Sequence, residues 1–186
     1  MLRRDAGQFN KWLGILYMVF QAGGAICGAL LAFYFFDCSN AKLTLIGPPY
    51  YYAQVMVSEA LGSFILVLAY LTQTEANFKL AEDAGITLLV ISGAYCVAIA
   101  LATPTPAYPS PLNPAIALAE MTFTTFSGNI DQMHGAWIYL VFPWVGAILG
   151  VLCFEMVFKR ASYVVERHDD MQEEAEERRD IEVAEE

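Results

Sequence analysis

Four blocks of about 20 apolar residues constrain this chain more than any other feature, because a helix of that length crosses a hydrocarbon core of roughly 30 Å. Lipid offers no partners to backbone amides, so each block must satisfy its own hydrogen bonds and fold as a helix. The blocks read as spans over Trp12–Phe36, Tyr52–Gln73, Ala84–Ala102 and Trp137–Phe158. Trp12, Tyr50, Tyr51, Tyr52, Trp137 and Tyr163 lie at or near their ends, where amphipathic rings suit the water–lipid boundary. With 57% hydrophobic residues in 186, the chain is too apolar for an ordinary soluble domain.

Charge divides the chain again. Val164 to Glu186 holds eleven acids and three arginines, a net of −8 out of −10, so the membrane body is nearly neutral. The expected organisation is a short N-terminal segment (1–11), a transmembrane domain (12–160) and an acidic tail (161–186). Such a tail disfavours nucleic acid and anionic lipid as partners. It reads either as a solvated end or as an arm that docks on a partner protein. Four spans place both termini and the loop between the second and third spans on one side. Arg3, Arg4, Lys11, Lys79, Lys159 and Arg160 collect there, against Lys42 alone on the other side. The positive-inside bias therefore predicts termini on the cytoplasmic or matrix-like face. The Arg3-Arg4 start resembles an organellar presequence, but Asp5 follows and an apolar block begins at once, which predicts a retained first span.

Between Thr103 and His134 a simple loop does not fit. Pro104, Pro106, Pro109, Pro111 and Pro114 forbid a continuous helix, after which apolar residues resume at helical density from Ala115 to Ala119. An extended arm followed by a short re-entrant half-helix starting near Asn113 is expected, with the positive end of its dipole at the bilayer midplane. The fold class is thus an all-α membrane protein with four transmembrane helices and one re-entrant half-helix.

The first and last spans repeat each other at an offset of 122 residues. Tyr17, Val19, Phe20, Gly24, Ala25, Ile26, Gly28 and Leu30 align with Tyr139, Val141, Phe142, Gly146, Ala147, Ile148, Gly150 and Leu152. Each copy carries Gly-x-x-x-Gly, which lets helix backbones approach closely. Three spans separate the copies, so they cross in opposite directions, the mark of an inverted repeat with a three-span unit. Only one full unit is expected within the chain.

Several motifs then resemble one family. Ser58 to Phe64 (Ser-Glu-Ala-Leu-Gly-Ser-Phe) is similar to the Glu-x-x-Gly-Thr-Phe opening of the aquaporin repeat, and Asn113-Pro114-Ala115 to its signature tripeptide. Trp137 to Ala147 resembles the sixth span of that family and Phe20 to Ala25 the third. The resemblance implies an incomplete aquaporin-like inverted repeat, in which Asn113 donates to water or caps the half-helix. It also implies that Glu59 is a buried acid bonding the backbone of the re-entrant segment. Gly24, Gly28, Gly62, Gly146 and Gly150 are assigned to helix packing. The chain departs from the family pattern at Ile116, where an arginine lines the filter, and in lacking a first tripeptide and a filter histidine; His134 and His168 lie in a loop and the tail. Glu120 and Glu155 are expected near the interfaces, without chemistry.

A butyl side chain removes several donors and a charge from a filter, and a narrow apolar constriction tends to dewet. These departures predict a non-conducting accessory subunit of a larger membrane complex, and the Arg3-Arg4 start and the acidic tail point to an organellar energy-converting assembly of the mitochondrial inner membrane as host. The alternative is a channel for water or a small neutral solute, completed by a second chain; a third reading is a piece of a longer product. Partners are expected to be other membrane subunits and lipid. No phosphate loop, zinc spacing or nucleophile–histidine pair stands out, so neither a cofactor nor enzymatic chemistry is expected. Cys27, Cys96 and Cys153 lie inside apolar blocks and Cys38 at a border, with no disulfide or metal spacing.

Overall fold

The computed structural model describes residues 11–35, 52–75, 78, 83–103, 110–128, 133, 135–165, 167–168, 171–172, 175 and 179. Arg3, Arg4, Cys38, Lys42, Lys79, Tyr108, His134 and most of the acidic tail lie outside them. Among the described residues there is no strand. The elements are α1 (Lys11–Phe35), α2 (Tyr52–Thr74), α3 (Ala84–Ala102), α4 (Pro114–Phe126) and α5 (Trp137–Cys153). After α5, a π-helical turn (Phe154–Phe158) carries the last span on to Val165. Four of these helices are long and apolar enough to cross a membrane. The chain is an all-α, multi-pass integral membrane protein.

Helix α4 is the exception in length. Its 13 residues rise about 20 Å, short of the roughly 30 Å of a hydrocarbon core. The two ends of α4 meet different parts of the other helices. At its C-terminal end, Phe123 and Phe126 pack on Phe33 near the end of α1, with ring centroids 6.0 and 5.9 Å apart. At its N-terminal end, Asn113 shares a cavity with Ser63, the central residue of α2. A helix that runs from one end of a span to the middle of its neighbour is a re-entrant half-helix in geometry as well as in length.

Helix α2 packs most extensively on α5 and next on α3, while α1 leans mainly on α4. Small residues set the closest approaches. A Cβ on Gly146 would overlap the Ala60 carbonyl, and one on Gly150 would lie 3.1 Å from the Phe64 carbonyl oxygen. On the other side of α2, a Cβ on Gly62 would come within 2.6 Å of Leu112 Cδ2 and 3.1 Å of the Ala98 carbonyl oxygen. Glycine at these positions lets the backbones come together, and dispersion contacts supply the attraction that hydrophobic burial cannot supply between helices in lipid. Gly24 and Gly28 differ. Among the described residues, a Cβ at either would meet no neighbouring atom within 4 Å, and no residue of α1 is buried.

The deepest core lies where α4 is clamped. Ala117, Val55, Ile138 and Tyr139 form one buried cluster, and Leu112, Ala98 and Ala102 form another. At one end of the molecule Lys159 bonds Glu155 at 2.9 Å and reaches Glu75 at 4.0 Å, tying the end of α2 to the last span.

Candidate functional site: the head of the half-helix

Asn113 caps α4. Its backbone is extended (φ −140°, ψ 117°), and its Oδ1 accepts the Ala115 amide at 2.9 Å. Pro114 occupies the first helical position, where a missing N–H costs nothing and a fixed φ favours the helix. The Asn113 carbonyl then accepts from Ala117 at 3.0 Å, closing the first turn. With Oδ1 committed to the cap, the Nδ2 donor is left for another partner. The tripeptide Asn113-Pro114-Ala115 therefore supplies a helix start, a positive dipole end and one amide donor at mid-span depth.

The residue before the cap holds this arrangement in place. Leu112 has φ 49°, in the left-handed region that a branched side chain seldom adopts. It stays there because its side chain is a buried peg against Gly62, Ala98 and Ala102, so packing between α2 and α3 outweighs a local strain of order 1–3 kcal/mol. Two residues earlier, the Ser110 hydroxyl donates to Glu59 Oε1, and the Leu112 amide makes a further backbone contact with the same carboxyl. Glu59 is fully buried. Its carboxyl therefore pins the arm leading into α4 to the wall of α2. The Ser110 amide lies 3.4 Å from Thr103 Oγ1, so the end of α3 and the start of the α4 segment meet at Ser110.

Beside this anchor lies a cavity of about 190 Å3. Asn113 and Ser63 are among its lining residues, with Leu66, Tyr95, Leu112, Pro143 and Trp144. It is an apolar recess with few polar groups, the usual character of a small-molecule site. Of the residues singled out in the sequence, the structure gathers Asn113, Pro114 and Leu112-facing Gly62 around this place, with Glu59 just behind. Gly146 and Gly150 work one layer away, at the contact of α2 with α5. Ile116 is exposed on the first turn of α4 and is not part of the cavity wall. Gly24 and Gly28 are remote from it.

Three features escape sequence reasoning. Leu112 carries no signal, since only its backbone angle marks it. Ser63 is hidden inside a span motif that also reads as packing. Glu120, expected near an interface, lies in the middle of α4 and has an Oε2 enclosed by protein and without a hydrogen-bond partner.

This combination of spans, half-helix and tripeptide agrees with what known proteins show. Residues 5–154 match the family described as Major intrinsic protein. A probable aquaporin PIP-type 7a of Pisum sativum is 30% identical over 152 residues, covering 78% of this chain and 51% of the relative. Aquaporin PIP1-6 of Zea mays is 24% identical over 159 residues, covering 83% and 52%. Aquaporin PIP1-2 of Musa acuminata subsp. malaccensis is 27% identical over 150 residues, covering 78% and 51%. The chain thus spans about half the length of the curated relatives it matches. No solved structure matches it. With a family match that takes in most of its length, and an Asn-Pro-Ala head seated at mid-span, the chain belongs to the major intrinsic protein family.

Proposed function

We propose that this chain forms half of a channel for water or a small neutral solute, completed by a second half-helix from another chain. The observation that carries this reading is the Asn113 amide donor, free of the cap and open to a cavity at the middle of the spans. A donor at the positive end of a helix dipole suits the oxygen of a neutral molecule and opposes a cation. The relatives named as aquaporins support the same reading. The Lys/Arg distribution supports termini on the cytoplasmic or matrix-like side.

Stopped-flow swelling of proteoliposomes, prepared with the chains that copurify with this one, tests the proposal. Water permeability above that of empty liposomes is expected, and Asn113→Leu should abolish most of it. Equal permeability in protein-containing and empty vesicles would overturn the channel reading. One observation favours a second reading, a non-conducting accessory subunit of a membrane complex: Ile116 stands where the family pattern has an arginine and offers no donor. Under that reading the vesicles stay at background with every copurifying chain present.

A further inference from the structure

A groove of about 660 Å3 runs along the seam between α2 and α5. Its floor is Met56, Ala60, Phe64, Phe142 and Cys153, each half-buried, and its rims are exposed side chains such as Val57, Leu61, Leu152 and Val157. All of the lining residues are apolar, and all lie within the two membrane spans. On the last span the lining extends from Phe142 to Val157, about 22 Å at 1.5 Å per residue. That length gives the groove a mean cross-section of only about 30 Å2. A helix roughly 10–12 Å across has a section of about 80–110 Å2 and does not enter it. Carbon atoms pack at about 3.5–4.0 Å, so a polymethylene chain, about 4 Å wide, does. In a bilayer such a furrow is filled rather than left void, because unfilled walls lose their dispersion contacts.

Charge at the end of the groove selects the lipid. Arg160 is exposed and follows Met156 of the lining by four residues, the spacing that sets two side chains on one side of a helix. The neighbouring Lys159 is occupied by Glu155 and Glu75, whereas no described acid pairs with Arg160. Beyond it the sequence turns acidic, with eleven acids against three arginines from Val164 onward. We infer that the groove holds an acyl chain of one zwitterionic phospholipid, with its phosphate on Arg160. Acyl chain, phosphate and ammonium follow one another outward in such a lipid, as apolar groove, arginine and acidic run do along this chain. The guanidinium gives the phosphate a charged, two-pronged donor. A headgroup of net negative charge would meet the same arginine but be repelled by the tail, so the site discriminates against it.

The lipid site does not depend on whether water passes through the protein. To test it, the full chain is reconstituted in vesicles of equal parts dioleoylphosphatidylcholine and dioleoylphosphatidylglycerol, extracted in mild detergent and weighed by native mass spectrometry. The wild type is expected to retain one phosphatidylcholine per chain. Ala60→Leu, which fills the floor, and Leu152→Trp, which crowds the exposed rim, should each lower the retained fraction about fivefold. Arg160→Gln should lower it about fivefold as well, the effect of a charged hydrogen bond weakened by access to water. Leu31→Trp, on the exposed side of α1 and outside the groove, should retain the wild-type level. No retained lipid, or phosphatidylglycerol retained as well as phosphatidylcholine, would overturn the inference. A wild-type level in the groove variants or in Arg160→Gln would do the same, and so would an equal loss in Leu31→Trp, the mark of a general lipid coat. If Ala60→Leu does not fold, Leu152→Trp on the exposed rim decides alone.

Discussion

Helices α1 and α5 carry the same Gly-x-x-x-Gly pattern at matching positions, and the structure treats them in opposite ways. On α5, Gly146 and Gly150 are pressed against the backbone of α2. On α1, Gly24 and Gly28 face open space, and the helix meets the rest of the described structure mainly through α4. Sequence similarity between the two spans predicts similar surfaces, and each surface is indeed smooth. Whether a smooth surface is occupied depends on which other helix stands beside it, and that information lies outside the motif. A small-residue pattern thus records a capacity for close approach, not a contact.

Substitutions can sharpen this contrast. The largest effect is expected at Gly146→Val, where the added atoms must displace the Ala60 backbone; overpacking of this kind costs about 3 kcal/mol or more, read as a lower midpoint in reversible unfolding by SDS. A midpoint equal to the wild type would show that α2 and α5 do not approach closely. Glu59→Leu comes next. It strands the Ser110 hydroxyl and releases the arm before α4, with an expected loss of about 1–3 kcal/mol and faster proteolysis of the segment between α3 and α4. Glu59→Gln, which can still accept from Ser110, should lose less, and an equal loss would point to charge rather than to the hydrogen bond. Gly24→Val and Gly28→Val should change the stability of the chain in detergent by no more than about 0.5 kcal/mol. A cost at Gly24 matching that at Gly146 would erase the contrast and require an occupied α1 surface.

The sequence made the spans and the half-helix legible because lipid allows so few solutions. An apolar block of sufficient length must be a helix, and the structure places α2 and α3 where the blocks lie, with α1 starting one residue before the expected Trp12. Asn113-Pro114 marked the head of α4 through local chemistry, since a capping amide followed by proline at the first position starts a helix in almost any surroundings. Glu120 was not legible in the same way. The enclosure of its Oε2 follows from the position of α4 within the helix packing, and a carboxyl in an apolar run has no local feature that foretells it.

By itself, the sequence determined the class of the fold, the number of apolar spans, the start of the half-helix and the family. The first three follow from periodicity, length or chemistry within about twenty neighbouring residues, and the family from the resemblance of several motifs spread along the chain. Only the tertiary structure decided which glycines are in contact, that Leu112 holds a left-handed backbone as a peg between α2 and α3, and that Asn113 and Ser63 share one cavity. These depend on residues from different helices meeting in space, where the packing of one helix sets the surroundings of another.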